Sequence, residues 1–379
     1  MVIRICHVIG AMERAGAETF LMNLYRSIDR SKVQFDFLVH TDREAAYDAE
    51  ILKLGGRIFR APAITPTSLA RLYPFYKKFF ADHPEMIVVH GHIGSVAALY
   101  LRAAHKAGRY AIAHSHAQNY PLDFSQALFR ILAFPTRFVA DYYLGASFEA
   151  GLDRFGEKIV NSPRFKIIFN GVSVQLYAYS EEKRRKLRKE LEISSDEQVL
   201  IHVARFDPVK NQTFLIDVFN EYYKLNPQSR LLMVGGGGSE GPTLRNKIEN
   251  YQLTDVVKFL GIRSDVNDLL QAGDVFIMTS FSEGMPVAIS EAQTAGLPCI
   301  VTTGFPEAAN WSGEVRFVDL NAGIAAWVAA IKNAFQRSMD PHYMRSAGVE
   351  RAQENGFDIT TTARWFEDFY IVEASKRIG

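Results

Sequence analysis

Gly273-Asp274-Val275-Phe276-Ile277-Met278-Thr279-Ser280-Phe281-Ser282-Glu283-Gly284-Met285-Pro286-Val287-Ala288-Ile289-Ser290-Glu291-Ala292, continued by Ala295-Gly296-Leu297-Pro298-Cys299-Ile300-Val301, reads as strand, short loop, helix and strand. The run 275–278 is apolar throughout, as a strand covered on both faces requires. Gly296 and Pro298 stop the helix before a second apolar run. Pro286 suits the first helical turn, where its missing N–H costs nothing. A helix start after such a loop has unpaired N–H groups at a positive end, which favours a phosphate. Glu283 falls on the loop and Glu291 inside the helix, eight residues on; eight residues span roughly 12 Å if all were helical. Two carboxylates so spaced can touch both ends of an elongated ligand, such as a sugar and a ribose flanking a diphosphate. An acidic cap and one exposed Glu account for the same pair, so the rest of the chain has to decide.

Upstream and downstream the same alternation recurs. In the first half, strands are expected at 2–9, 34–39, 86–90, 110–114 and 138–144, with helices at 17–26, 45–54 and 94–107. In the second half, strands are expected at 198–203, 230–234, 256–260, 275–278, 299–301 and 315–318. Strands alternating with helices give a parallel, doubly wound sheet. A chain of 379 residues exceeds one ordinary core and calls for two domains of roughly 150–200 residues. The expected fold is therefore α/β, with two Rossmann-like domains: 1–175 joined by a C-terminal helix at 359–379, and 176–358. The aromatics of that last helix, Trp365, Phe366, Phe369 and Tyr370, suit packing back across the domain junction. Open sheets of this kind bind ligands beyond the carboxyl ends of their strands, so a cleft between two such edges is the expected site.

Apolar content of 48% is that of a soluble globular chain, and a net charge of +1 gives no reason to expect nucleic acid. Cys6 and Cys299 lie in apolar runs and read as small buried hydrophobes, which fits a reducing cytoplasm. The N-terminus lacks the features of a signal peptide, and no long uncharged apolar run suggests a membrane span. Any membrane contact is expected to be peripheral. Two stretches interleave aromatics with cations as an interfacial surface does, 71–80 and 124–134, although a buried amphipathic helix explains the same pattern. The charged helix 181–190 reads as a solvated linker rather than a lipid contact.

Six features come directly after predicted strands. Gly16 opens the first helix, where it permits close approach of a ligand. His90, His92, His114 and His116 end two strands. Imidazoles suit zinc, but no Cys or tight carboxylate pattern accompanies them, and neutral imidazoles that donate or accept in a cleft fit better. Arg205 and Lys210 straddle an Asp-Pro turn and make a diphosphate clamp, Arg through its fork and Lys as a point charge. Gly235 and Gly237 belong to a four-glycine loop that would let backbone approach a ligand; it is neither a Walker loop nor a dinucleotide fingerprint. Arg263 comes after a strand ending at Gly261, where its backbone can meet a base edge. The sixth is the Glu283–Glu291 stretch.

Val203-Ala204-Arg205 with Lys210-Asn211, then Leu260-Gly261-Ile262-Arg263-Ser264-Asp265-Val266, then Ser282-Glu283-Gly284-Met285-Pro286 through Glu291-Ala292 to Gly296-Leu297-Pro298, resembles glycosyltransferase family 4 over nearly the whole chain. This is a retaining, GT-B-fold family that uses nucleotide sugars. The 14–19 loop, Met22-Asn23-Leu24-Tyr25 and Ala113-His114-Ser115-His116 resemble its exopolysaccharide and capsule branch. The resemblance implies that Arg205 and Lys210 neutralise the donor diphosphate and that Glu291 holds the ribose hydroxyls. It puts Glu283, Gly284, Met285 and Pro286 at the sugar and phosphate, the backbone around Arg263 at the base, most often uracil, and Gly16 near phosphate and acceptor. His116 matches the family's active-site histidine, with His114 as the alternative. Ala15 and Ala204 stand where the family often has Gly, small departures that leave the resemblance standing.

The expected activity is transfer of a sugar from a UDP-sugar to a lipid-linked saccharide. The route is front-face attack, with no metal and no cofactor, and with peripheral contact to an anionic membrane. Double displacement through a carboxylate is disfavoured, because neither Glu is aimed at an anomeric carbon by its placement. Two other classes fit part of the pattern. A UDP-sugar 2-epimerase of GT-B fold would need no acceptor, and a non-catalytic nucleotide-sugar binder would not need the carboxylate pair and cationic clamp together.

Overall fold

A computed structural model describes residues 2–116 and 124–378, without the side chains of 124–128 and 378. The chain forms two compact units, 1–171 with 359–379, and 172–358. From sequence the change of unit is expected at 175/176. It comes earlier because the short helix Val174–Tyr177 packs within the second unit, where the Tyr177 hydroxyl donates to Glu291 Oε1 at 2.5 Å.

The first unit holds a seven-stranded sheet: β1 (Ile3–Ile9), β2 (Val33–Val39), β3 (Arg57–Arg60), β4 (Met86–Gly91), β5 (Tyr110–Ser115), β6 (Tyr142–Gly145) and β7 (Phe165–Ile167), in the order β3-β2-β1-β4-β5-β6-β7. Each recorded pairing is parallel. The strand expected at 138–144 begins late. Residues Phe134–Phe138 turn as a 3-10 helix with Pro135 near its start, Phe138 is 75% exposed, and pairing starts only where the Asp141 N–H meets the Ala111 carbonyl. The helices Gly16–Ser27 and Ile359–Ile378 cover one face. Ile359, Ala363, Phe366, Tyr370 and Ala374 recur at steps of three and four, and join Phe20, Leu21, Leu24, Ile5 and Phe35 in one buried cluster. The last helix of the chain thus completes the first core.

The helix Leu69–Asp82 covers the opposite face with buried Leu72, Tyr76, Phe79 and Phe80. The aromatics of the 71–80 stretch are thereby committed to the core. Of the 124–134 stretch, the side chains of 124–128 lie outside the described residues. Beyond them Ile131, Phe134 and Phe138 are exposed, among Arg130 and Arg137.

The second unit holds six parallel strands: β8 (Gln198–Val203), β9 (Ser229–Val234), β10 (Val257–Gly261), β11 (Val275–Met278), β12 (Cys299–Thr302) and β13 (Val315–Val318), in the order β10-β9-β8-β11-β12-β13. The order matches that of the first sheet, with a switch of direction between the first and fourth strands of each unit, here β8 and β11. The helix Glu181–Glu190 packs on this unit. Arg184 and Arg188 both reach Asp274, at 2.5 and 3.3 Å, which spends two of its cations inside the protein. Cys6 and Cys299 are buried and free. Among the described residues no helix is long and apolar enough to cross a membrane.

Candidate active site

In doubly wound sheets ligands bind at the switch point, outside the carboxyl ends of the strands. In the second unit that point is built from the loop after β8 and the loop after β11. After β8 the chain runs through Ala204, Arg205 and a 3-10 turn at Pro208–Lys210, whose N-cap Asp207 accepts from the Val209 N–H. Asn211, at φ 51°, then redirects it into the helix Gln212–Leu225. After β11 the Thr279 hydroxyl donates to the carbonyls of Lys210 and Asn211, and the Phe281 N–H donates to the Val209 carbonyl at 2.9 Å. These bonds fasten the two loops together. The Glu283 N–H is tied to the Gly304 carbonyl at 3.1 Å.

The result is an ion pair the sequence does not announce: Lys210 Nζ lies 2.5 Å from Glu283 Oε1, with side chains 17% and 10% exposed. Arg205 stands on the same loop with its side chain 58% exposed and its nearest carboxylate, Asp207, at 3.6 Å. Gln212 holds its backbone by donating to the Arg205 carbonyl at 2.7 Å. One shielded and one exposed cation, each with a carboxylate beside it, therefore share a strand end. Lys has three N–H groups and gives one to Glu283, so the pair leaves it donors for an anion.

The helix after this loop begins at Val287, one residue later than Pro286 as first-turn residue would have it. Pro286 is the N-cap, with extended backbone at φ −62°, ψ 138°. Met285 is buried. Glu291 is buried in the helix, and the loss of hydration pushes its carboxyl up to about 7, against the opposing pull of the Tyr177 hydrogen bond. Near neutral pH it is poised between neutral and ionised forms, which neither an acidic cap nor an exposed Glu would be.

Other expected residues fall differently. At Gly235, φ is +134° and a Cβ would stand 1.8 Å from the Ala204 carbonyl oxygen; at Gly238 it would stand 1.8 Å from that of Phe206. Gly235 and Gly238 thus lie against the chain that carries Arg205, whereas at Gly237, with φ +74°, only the Ile262 side chain comes within 4 Å of where a Cβ would stand, at 3.7 Å. Arg263 makes a two-bond fork with Asp265, at 2.7 and 2.6 Å. Gly16 opens its helix, is exposed, and has nothing within 4 Å of where a Cβ would stand.

In the first unit, the switch point lies between β1 and β4 and is filled with imidazoles. Period-two alternation places His90 with His92 and His114 with His116 on one sheet face, and His7 of β1, which pairs in register with His90, joins them. His90 stacks on His114, with centroids 5.2 Å apart, and His92 on His116 at 5.1 Å. Burial lowers all five, His7 to about 3 and His116 to about 4, so the rings are neutral at pH 7. Two trios, His7/His90/His92 and His92/His114/His116, have nitrogens within 4.8 Å of one another. His7 was hidden from sequence reasoning by its apolar strand, and Tyr177 by its distance along the chain. No sequence signal singles them out, since His7 shares its strand with Arg4 and Tyr177 its short helix with Gln175.

Comparison with known proteins agrees with this architecture. Residues 183–350 match the family Glycosyl transferases group 1. A Bacillus subtilis (strain 168) protein named as the glycosyltransferase EpsF is 32% identical over 336 residues, 87% of each chain. An Escherichia coli UDP-Gal:alpha-D-GlcNAc-diphosphoundecaprenol alpha-1,3-galactosyltransferase is 33% identical over 148 residues, 38% of each chain. Among solved structures, Anabaena HepE in complex with UDP-glucose superposes with a TM-score of 0.77 at 20% identity, over 97% of this chain and 98% of that one. That likeness speaks for the GT-B fold. The match to the Bacillus protein along 87% of both lengths speaks for the chemistry: this chain belongs to the group 1 glycosyltransferases and is a sugar-transferring enzyme.

Proposed function

We propose that the enzyme is a retaining glycosyltransferase of family 4 that moves a sugar from a UDP-sugar to a lipid-linked saccharide in exopolysaccharide or capsule synthesis. The observation that carries this reading is the meeting of Arg205, Lys210 and Glu283 at the switch point of the second sheet. Two cations there suit a diphosphate, and a carboxylate bonded to one of them suits the neighbouring sugar hydroxyls. The relatives' names support the donor and acceptor classes: one is named for a UDP-galactose donor and a diphosphoundecaprenol-linked acceptor, and HepE was solved with UDP-glucose.

In this reading the second unit holds the donor. Arg205 and Lys210 neutralise the diphosphate, the N–H groups of Gly284 and Met285 meet sugar and phosphate, and Glu291 accepts from the ribose hydroxyls. The first unit meets the acceptor, with His116 near the transferred sugar. The acceptor oxygen bonds to the anomeric carbon on the face that the leaving diphosphate vacates. Its proton passes to a phosphate oxygen as the carbon–oxygen bond breaks, so configuration is retained. Charge stabilisation at the leaving group is the protein's main contribution, and each such donor is worth about 3–4 kcal/mol. The two cations take the part a divalent metal plays elsewhere.

Mass spectrometry of products from a panel of UDP-sugars and lipid extract tests the proposal. A sugar added to a lipid-linked acceptor, undiminished by EDTA, is the expected result. Isomerised sugar without acceptor, or complete loss of activity in EDTA, would overturn it.

A further inference from the structure

Apart from the histidines, the first unit has a cavity of about 150 Å³ lined by Arg130, Arg137 and Arg154, with Asp153 as the one carboxylate among the described residues that line it. Three short elements bring these side chains together. The helix Phe124–Ala133 carries Arg130, the 3-10 turn Phe134–Phe138 carries Arg137, and the helix Phe148–Phe155 carries Asp153 and Arg154. Glycines make the room. At Gly94 a Cβ would stand 2.5 Å from Arg154 Nη1, and at Gly156, where φ is +81°, it would stand 2.9 Å from Arg137 Nη1. Gly94 lies on the loop after β4, two residues beyond His92. The Arg154 guanidinium therefore reaches the carboxyl edge of the sheet, where folds of this kind take their ligands.

Packing fixes two of the three arginines. The Arg154 guanidinium lies over the Phe129 ring, 4.2 Å from its centroid, and Arg137 Nε donates to the Arg154 carbonyl at 3.2 Å. Arg130 is 3.7 Å from Asp153, with its side chain 41% exposed. Loss of hydration lowers the pKa of Arg154 to about 10; Asp153 and Tyr100 oppose the fall, and Arg130 and Arg137 add to it. The group is still charged at pH 7. Three guanidiniums and one carboxylate give the cavity wall a surplus of two positive charges. A diphosphate esterified at both ends carries one negative charge on each phosphate, and Arg forks match phosphate oxygens in pairs. A single phosphodiester, as in a membrane lipid headgroup, would match half of that charge.

We propose that Arg130, Arg137 and Arg154 form a diphosphate site that holds the acceptor by the charged link between its saccharide and its lipid. The proposal rests on the acceptor being lipid-linked, and two measurements keep the two ideas apart. The first is calorimetric titration of inorganic diphosphate into full-length enzyme saturated with UDP, which keeps the probe from Arg205 and Lys210; the wild type should bind it. Arg154→Gln should weaken binding about tenfold, the worth of one hydrogen bond to a charged group. Arg130→Gln should do the same from an exposed side chain, where folding is not at stake. Asp153→Asn should tighten binding about threefold by removing the repelling charge, a gain that a purely structural role would not produce. The second measurement compares transfer to a saccharide on a short prenyl diphosphate with transfer to the same saccharide on a neutral alkyl chain. The wild type should prefer the first, and the ratio of the two kcat/KM values should fall about tenfold in Arg154→Gln. Arginine-dependent diphosphate binding in an enzyme that uses both acceptors equally would uphold the anion site and refute the diphosphate-linked acceptor. No binding by the wild type, equal binding by Arg154→Gln and Arg130→Gln, or displacement of inorganic diphosphate by phosphatidylglycerol vesicles, which would assign the site to membrane headgroups, would overturn the proposal.

Discussion

Replacing Glu291 by Gln and following UDP-sugar affinity from pH 6 to pH 8 probes the donor site at its most distinctive group. Burial holds this carboxyl at about 7. If the ionised form accepts the ribose hydroxyls, only the ionised fraction binds. With a pKa of about 7, that fraction is about one in eleven at pH 6 and about ten in eleven at pH 8, so the apparent dissociation constant falls about tenfold, or ~1.4 kcal/mol. The sign comes from the raised pKa: the carboxyl is protonated below 7, binding expels the proton, and affinity climbs with pH. An intact UDP-sugar is the right probe. Its phosphates are both esterified, whereas free UDP has a terminal phosphate with a second pKa of about 6 and a slope of its own. His202, buried on β8, sits at about 4 and stays silent in this window. Isothermal titration at pH 7 in two buffers of different ionisation enthalpy should register about half a proton released per donor bound. Glu291→Gln should abolish both the proton release and the slope. A wild-type affinity that is flat from pH 6 to pH 8, or an equal slope in Glu291→Gln, would refute the reasoning.

Three further outcomes are expected. Lys210→Ala leaves the shielded Glu283 carboxylate unpaired and should cost about 3 kcal/mol in urea unfolding; adding Glu283→Gln should return most of that stability but none of the turnover. Gly235→Ala, which meets the Ala204 carbonyl, should destabilise by about 3 kcal/mol, whereas Gly16→Ala should stay within about 0.5 kcal/mol because the space is open, and circular dichroism melts will rank them. Serine at Phe134 and Phe138 should abolish co-flotation with vesicles containing anionic lipid while leaving transfer to a water-soluble acceptor analogue intact; co-flotation equal to wild type would remove this surface as the membrane contact.

The sequence made the central strands legible because they are continuous apolar runs. β3 and β7 escaped notice. β3 is four residues bounded by Arg57 and Arg60, β7 has three residues, and both lie at sheet edges, where strands are short and polar. Site chemistry was legible by residue type and position: Arg205, Lys210, Glu283, Glu291 and four of the histidines all end strands or come soon after them. Their partners were not. Lys210 and Glu283 are 73 residues apart and Tyr177 and Glu291 are 114 apart, and no local periodicity reports a contact of that range. At Gly235 and Gly238 the four-glycine loop is legible from sequence, but not that the Ala204 and Phe206 carbonyls stand where a Cβ would.

The C-terminal helix Ile359–Ile378 carries a consequence for how the protein is made. Its residues fill the core of a sheet whose first strand leaves the ribosome more than three hundred residues earlier. The intervening unit, 172–358, contains its own sheet and core and can close as soon as it is synthesised. The N-terminal unit cannot: until Phe366 and Tyr370 arrive, part of the Phe20–Phe35 face stays wet. Synthesis order and folding order are thus inverted, and the first unit begun is the last completed. That interval of exposed apolar surface is where chaperones would engage the nascent chain. A stop codon at Ile359 would strand the histidine-bearing unit half-finished, while the unit carrying Lys210 and Glu283 would still fold.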